Sequence, residues 1–374
     1  MSRIYLDYNA STPIAPEVAV VMREAMEGAF GNPSSPHWAG APARRMVEEG
    51  RSQVAALLGC APEEVVFTSG GSESNNFALK GAFFASKRAR RQIITTRIEH
   101  PAIIAPCRFL ETLGAEITWL PVDSAGRVDP DDLERAITAD TILVSIMHAN
   151  NEVGTIQPIE ECAAIAREHG IPFHTDAAQS VGKIATRVDD LGVDLLTIAG
   201  HKLYAPKGVG ALYIRSGTVL EPLIHGAGHE GGRRAGTESA LLAAGLGEAC
   251  VLARDLCPMA KLKALRDRFW NGLRERFGNG IVLNGHPELR LPNTLDVSFV
   301  GHVGGDILAA LEGVAASTGS ACHSGRIELS PVLEAMGVAP EVGMGAIRFS
   351  LGRGTTAAEI DDVLRRLPAA VRHA

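Results

Sequence analysis

Long apolar runs are missing from this chain of 374 residues, and without eighteen apolar residues in a row no membrane-spanning helix is expected. The opening MSRIYLDYNASTP has no apolar leader segment, so a cytoplasmic location is expected. Paired cysteines are missing too. Cys60, Cys107, Cys162, Cys250, Cys257 and Cys322 are scattered without C-x-x-C spacing, which argues against a zinc site and against a disulfide framework. Basic surface is scarce: the formal net charge is −7, and the short cluster KRARR reads as a solvated helix end. Direct nucleic-acid binding normally needs a basic face, so it is not expected. Internal repeats and low-complexity stretches are absent.

What is present suits a large globular core: 46% of the residues are hydrophobic and 21% charged. The middle of the chain alternates apolar strands with amphipathic helices. EEVVFTSGGSESNNFALKGAFFA reads as strand, glycine-serine turn and helix, and RQIITTRIEHPAIIAPCRFLETLG repeats the unit. AEITWLPVD, TILVSIMHANNEVG and IPFHTDAAQSVG supply further strands. VDLLTIAGHKLYAPKGVGALYIR supplies two strands around a loop. Such continuous apolar strands predict a mostly parallel sheet covered on both faces, an α/β architecture. Residues 17–56 read as helical before the first strand. From about residue 258 the pattern changes to a smaller α+β unit. It has an amphipathic helix in CPMAKLKALRDRFWNGLRERFG, strands in NTLDVSFVG and GAIRFSLG, and a last helix opened by a Thr356–Glu359 capping box.

In open α/β sheets ligands gather at the C-terminal strand ends, so the polar residues there are the candidates. Ser69, Gly70, Gly71 and Ser72 precede a helix and suit a phosphate, although an ordinary turn with a cap fits the same residues. Glu99 and His100 end the next unit. His148, Asn150, Asn151 and Glu152 follow, then His174, Asp176 and Gln179, then His201 and Lys202. Taken singly, each histidine is equally compatible with a structural role, and Asp176 with a helix cap. Lys202 lies between an apolar strand and LYAP, where desolvation would lower its pKa and let it form a Schiff base. A phosphate cup, a lysine, a carboxylate and a stacking ring at successive strand ends are what pyridoxal 5'-phosphate requires. GAGHEG, residues 226–231, matches G-x-G-x-x-G but follows no buried strand. His225 and His229 have metal-pair spacing in a glycine-rich loop, and no metal is expected there.

The motifs YLDYNASTP, GNPSSPH, FTSGGSESNN, NNEVGTIQPI, HTDAAQSVGK, GHKLYAPKGVGALY, GGRRAGTE, STGSAC and IRFSLGR occur in order along nearly the whole chain. As a set they resemble the cysteine desulfurases of the class V aminotransferase family. The resemblance implies a fold type I transferase: a large domain over 15–257 with a mostly parallel seven-stranded sheet, and a small domain of 1–14 with 258–374 carrying the catalytic-cysteine loop. It implies Lys202 as the Schiff-base residue, Asp176 beside the pyridine nitrogen, and Gln179 and Asn151 at the ring oxygen. His100 would stack on the ring and shuttle protons. Gly71, Ser72 and His201 would hold the phosphate, joined by Thr237 from the second subunit of a homodimer. Arg348, Asn32 and Asn151 would bind substrate, and Cys322 would be the nucleophile.

The implied reaction converts L-cysteine to L-alanine, leaving a persulfide on Cys322 for a sulfur-acceptor protein. Ala199 stands where many relatives carry a phosphate-binding serine. ACHSG differs from the ACTS of the iron–sulfur-cluster enzymes and is closer to selenocysteine lyases and DNA-phosphorothioation desulfurases. Selenocysteine lyase, and a pyridoxal lyase or aminotransferase that does not use Cys322, are the alternative readings. Small residues around Cys322 suit a mobile loop, and His323 or His100 could help ionise its thiol. Cys107, Cys162 and Cys250 read as core.

Overall fold

The computed structural model describes residues 3–318 and 329–373 and, between them, the strand backbone of 322–323 and 326–327. After a short N-terminal strand come helices α1 (Pro16–Gly28) and α2 (Gly40–Leu58). The helical stretch expected over 17–56 is therefore two helices. GNPSSPH breaks it: a Cβ on Gly31 would sit 1.9 Å from the Ala39 carbonyl oxygen, a contact only glycine permits.

Seven strands form the main sheet: β1 (Val65–Thr68), β2 (Arg91–Thr96), β3 (Ala115–Leu120), β4 (Thr141–Ser145), β5 (Phe173–Asp176), β6 (Leu195–Ala199) and β7 (Gly210–Ile214). Their order is β1-β7-β6-β5-β4-β2-β3. All neighbours are parallel except those of β7, which runs antiparallel to β1 and to β6. Strands β1, β4, β5, β6 and β7 are buried along their whole length, matching the largely apolar text of all but β5, whose FHTD is mostly polar. Helices α3 (Gly71–Ala85) and α4 (Pro101–Glu111) follow β1 and β2, and α5 (Ala240–Ala253) packs with α1 and α2. One apolar core gathers residues from Ala15 to Ala253 on one side of the sheet, and another fills the α3–α4 side.

A separate core joins Ile4 and Leu6 to residues from Met259 onward. It lies among α6 (Cys257–Phe277), α7 (Ala357–His373) and an antiparallel sheet of β8 (Ile281–Asn284), β9 (Thr294–Phe299) and β10 (Ala346–Ser350). The Thr356–Glu359 capping box forms, Glu359 accepting from the Thr356 amide at 2.8 Å. The N-terminal strand Ile4–Tyr5 pairs in parallel with Val314–Ala315. This carries residues 7–12 to the boundary of the two units, where the Thr12 amide donates to the His201 carbonyl at 2.9 Å. Residues 322–323 pair antiparallel with 326–327. The side chains of Cys322 and His323 lie outside the described residues. No helix among the described residues is long and apolar enough to cross a membrane.

Candidate active site

The C-terminal ends of the parallel strands open into a cleft of about 680 Å³, within the range of small-molecule sites. It is lined by Gly71, Ser72, His100, Asn151, Asp176, Gln179, His201, Lys202 and Arg348, so nine of the expected site residues meet in one place.

At one end, the first turn of α3 presents Gly70, Gly71 and Ser72 after β1. A Cβ on Gly210 would lie 2.8 Å from the Gly70 Cα, so β7 and this turn meet only because residue 210 is glycine. The free amides and dipole of a helix start suit an anion. His201 faces the same end, its Nδ1 3.3 Å from Ser11 Oγ. Burial, then the charges of Lys202 and Lys207, lower its pKa to about 4, so at neutral pH the ring is uncharged and offers an anion only an N–H. Ala199 leaves no hydroxyl here, and its Cβ lies 3.1 Å from where a Cβ on Gly71 would stand.

Asp176 ends β5 and is buried. Its Oδ2 accepts from Asn75 Nδ2 at 2.7 Å, and its Oδ1 accepts from the Ala178 amide at 2.9 Å. Lys202 donates to the carbonyls of Asn9 and, at 2.9 Å, Ala10. Burial, reinforced by Arg348 and opposed by Asp176 and Asp7, lowers its pKa to about 8. An amine poised there is a usable base or nucleophile near neutral pH. His100 caps α4, its Nδ1 accepting from the Ala102 amide at 3.1 Å, which puts the neutral ring's proton on Nε2. Desolvation lowers its pKa, with Asp176 opposing and Lys202 reinforcing.

Arg348, on β10, reaches the cleft from the second unit and is 8% exposed. Its Nη1 donates to the Asn151 carbonyl at 2.9 Å and its Nη2 to Asp7 Oδ1 at 2.8 Å, while Nε is buried without a partner. The guanidinium also lines the cleft, where its charge can meet a carboxylate. The cleft can therefore hold an anion at the α3 end, a carbonyl at Lys202 and a carboxylate at Arg348.

Thr237 and Asn32 do not line this cleft. Both are exposed and share a separate surface cavity of about 390 Å³. His174 is structural: it is buried between Ser145 Oγ at 2.8 Å and Thr197 Oγ1 at 3.1 Å. GAGHEG forms a bend in which buried Glu230 grips Arg51 and the Phe67 amide, not a nucleotide loop. His225 and His229 face Glu221 and Glu238 instead of each other, and no metal-type cluster occurs among the described residues. Cys107, Cys162 and Cys250 are buried, with thiol pKa values pushed up to about 12 chiefly by burial. Sequence reasoning passed over Asp7, Asn9, Asn75 and Lys183. Each lies within a recognised motif, but only the fold shows what it touches.

The Aminotransferase class-V family model matches residues 4–363. The chain belongs to the class-V aminotransferase family. It is 50% identical over 373 residues to "Cysteine desulfurase IscS" of Dictyoglomus turgidum, covering 97% of this chain and 94% of that one. Among solved structures it superposes on a "NifS-like protein" with TM-score 0.93 and 38% identity over the full length of both. It superposes on "SspA in complex with cysteine" with TM-score 0.85 and 36% identity, over 94% of this chain and 100% of that one. The sheet order and the strand-end cleft described above are thus those of a class-V aminotransferase of fold type I.

Proposed function

We infer that this chain is a cysteine desulfurase, releasing L-alanine from L-cysteine and carrying the sulfur on Cys322 to an acceptor protein. The observation that carries the reading is the convergence of Lys202, Asp176 and Arg348 on one cleft, in a chain half identical to a named cysteine desulfurase.

The donor set fits pyridoxal 5'-phosphate. The α3 turn with Gly71, Ser72 and His201 would hold the phosphate, and Asp176 the pyridine nitrogen. His100 would cover the ring, Gln179 and Asn151 would face its oxygen, and Lys202 would engage its aldehyde. When bound, the cofactor supplies an electron sink for a carbanion at the amino acid's α-carbon. The protein's residues do the rest. Arg348, a cation lining the cleft, holds the substrate carboxylate. Lys202 takes the α-proton, its lowered pKa making the free amine available. The Cys322 thiolate attacks the substrate sulfur: a sulfur–sulfur bond forms, the Cβ–S bond breaks, and its electron pair stays on Cβ, which gains a proton as alanine. A second thiol then accepts the sulfur from Cys322. Scaffold proteins for iron–sulfur clusters and thiolation or phosphorothioation proteins are the acceptor class this chemistry serves, in the cytoplasm.

A homodimer accounts for Thr237. The cavity it shares with Asn32 is lined by Phe30, on which Trp38 stacks edge to face, and the two rings are 76% and 81% exposed. Apolar rings so open suit burial by a second copy, which would bring Thr237, with Asn32 beside it, to the partner's cleft.

The test is alanine release from cysteine by the cofactor-loaded protein with a small thiol as acceptor. Loss of alanine and of the visible cofactor absorbance in Lys202→Ala supports the reading, and undiminished alanine in that variant refutes it.

A further inference from the structure

Lys183 has no part in the reaction above, yet it is bound into the wall of the cleft. It stands four residues after Gln179, and its Nζ lies 3.0 Å from Gln179 Oε1 and 3.5 Å from Asn9 Oδ1. A lysine ammonium donates and cannot accept, so it dictates which end of a neighbouring amide faces it. Gln179 turns its carbonyl oxygen to Lys183, and its NH2 group points the other way, donating to the Asn9 carbonyl at 2.9 Å. The same carbonyl accepts from Lys202.

Asn9 gives this arrangement a fixed base. It is buried, its amide donates to Ser350 Oγ at 2.9 Å, and its Nδ2 donates to Thr294 Oγ1 at 2.8 Å. Asn293 Nδ2 donates to its Oδ1 at 3.0 Å. Each end of the Asn9 side chain is thus committed, and its Oδ1 is left to receive Lys183. A cation is costly here. Lys202 and Arg348 act on Lys183 as like charges, and Arg353, Tyr8 and Tyr204 line the small cavity it borders. Burial first, then those two charges, bring its pKa to about 7. A solvated face would hold a lysine without this penalty.

We propose that Lys183 is a positioning residue that locks the Gln179 amide so that its NH2 group, not its carbonyl, faces the ring oxygen of the bound cofactor. A donor there stabilises the anionic oxygen, whereas a flipped amide would set a carbonyl against it. The proposal rests on the cofactor reading above.

The experiment is a pH titration of the visible absorbance of the cofactor-loaded protein. The variants are Lys183→Met, Lys183→Arg, Gln179→Ala and the Lys183→Met/Gln179→Ala double variant. Losing a donor to the ring oxygen raises the titration midpoint, so Lys183→Met should move it up by roughly half a pH unit or more. Lys183→Arg, still a donor, should restore most of the wild-type midpoint. In the Gln179→Ala background, Lys183→Met should add no further shift, because its effect passes through the amide. A wild-type midpoint in Lys183→Met overturns the proposal, as does an equal shift with Gln179 absent, which would mean that the charge acts alone. Wild-type protein that acquires no visible absorbance with pyridoxal phosphate overturns the cofactor reading itself.

Discussion

Arg348 and Asp7 are 341 positions apart and form an ion pair at 2.8 Å on the wall of the cleft. Asp7 Oδ1 also accepts from Ser317 Oγ at 3.0 Å, and Ser317 exchanges backbone hydrogen bonds with Arg348. One carboxylate thus ties the cleft-lining arginine to the residue from which the Cys322 segment departs. Replacing the planar fork should be costly. Arg348→Lys is expected to lower kcat/KM for cysteine about 10- to 100-fold, mostly through KM, as for a lost charge-assisted hydrogen bond. Asp7→Asn, which keeps the arginine, should have the smaller effect. Steady-state kinetics check both, and an unchanged KM in Arg348→Lys counts against its role.

Lys202 should titrate far below an ordinary lysine. In cofactor-free protein, labelling of Lys202 by an amine-selective reagent is expected to rise around pH 8, against about 10.4 for an unperturbed side chain. Asp176 and Asp7 both hold this pKa up, so Asp7→Asn should move the midpoint lower still. Peptide-resolved mass spectrometry reads the labelling, and a midpoint near 10 contradicts the desolvated site.

Glu99 offers a test in stability. It is buried, with Oε1 accepting from Thr96 Oγ1 and the Met147 amide, each at 2.9 Å, and Oε2 unpartnered. Burial above all raises its pKa to about 8. The folded state then keeps a proton that the unfolded state releases, so this group's contribution falls as pH rises from about 4.5 to about 8. Glu99→Gln mimics the protonated acid. Its Tm advantage over wild type should grow by on the order of several degrees between pH 5 and pH 8.5 in differential scanning calorimetry. A pH-independent difference contradicts the shift.

Thr237 can be assigned to a subunit by mixing variants. A dimer of one Lys202→Ala chain and one Thr237→Ala chain contains one intact cleft if Thr237 acts across the interface, and none if it acts within its own chain. Cofactor titration of the purified mixed dimer should find one site of wild-type affinity. Only weakened sites would place Thr237 in its own subunit.

The sheet was legible because β1, β4, β6 and β7 are buried on both faces and read as largely apolar text, whereas β5, FHTD, is buried but mostly polar. Lys202 stood out for the same reason, as a charge set between apolar segments. Asp7, Asn9 and Lys183 did not, because their meaning lies in contacts made across the chain. Asn9 meets Thr294 and Ser350, and Lys183 gains its significance from the amide of Gln179 and the carboxamide of Asn9. The break between α1 and α2 was missed because the glycine at 31 acts through a close backbone approach, which periodicity does not register. Thr237 and Asn32 entered only through the family resemblance, as a phosphate contact and a substrate contact, and the fold places both in a cavity outside the cleft of their own chain.

The central claim is that Cys322 takes the sulfur directly from cysteine. Intact-protein and peptide mass spectrometry after a single turnover, with no external thiol, tests it most directly. One added sulfur on the Cys322 peptide and one equivalent of alanine are expected, with both lost in Cys322→Ala. Full alanine release by Cys322→Ala, or added sulfur on another cysteine in wild type, would contradict it.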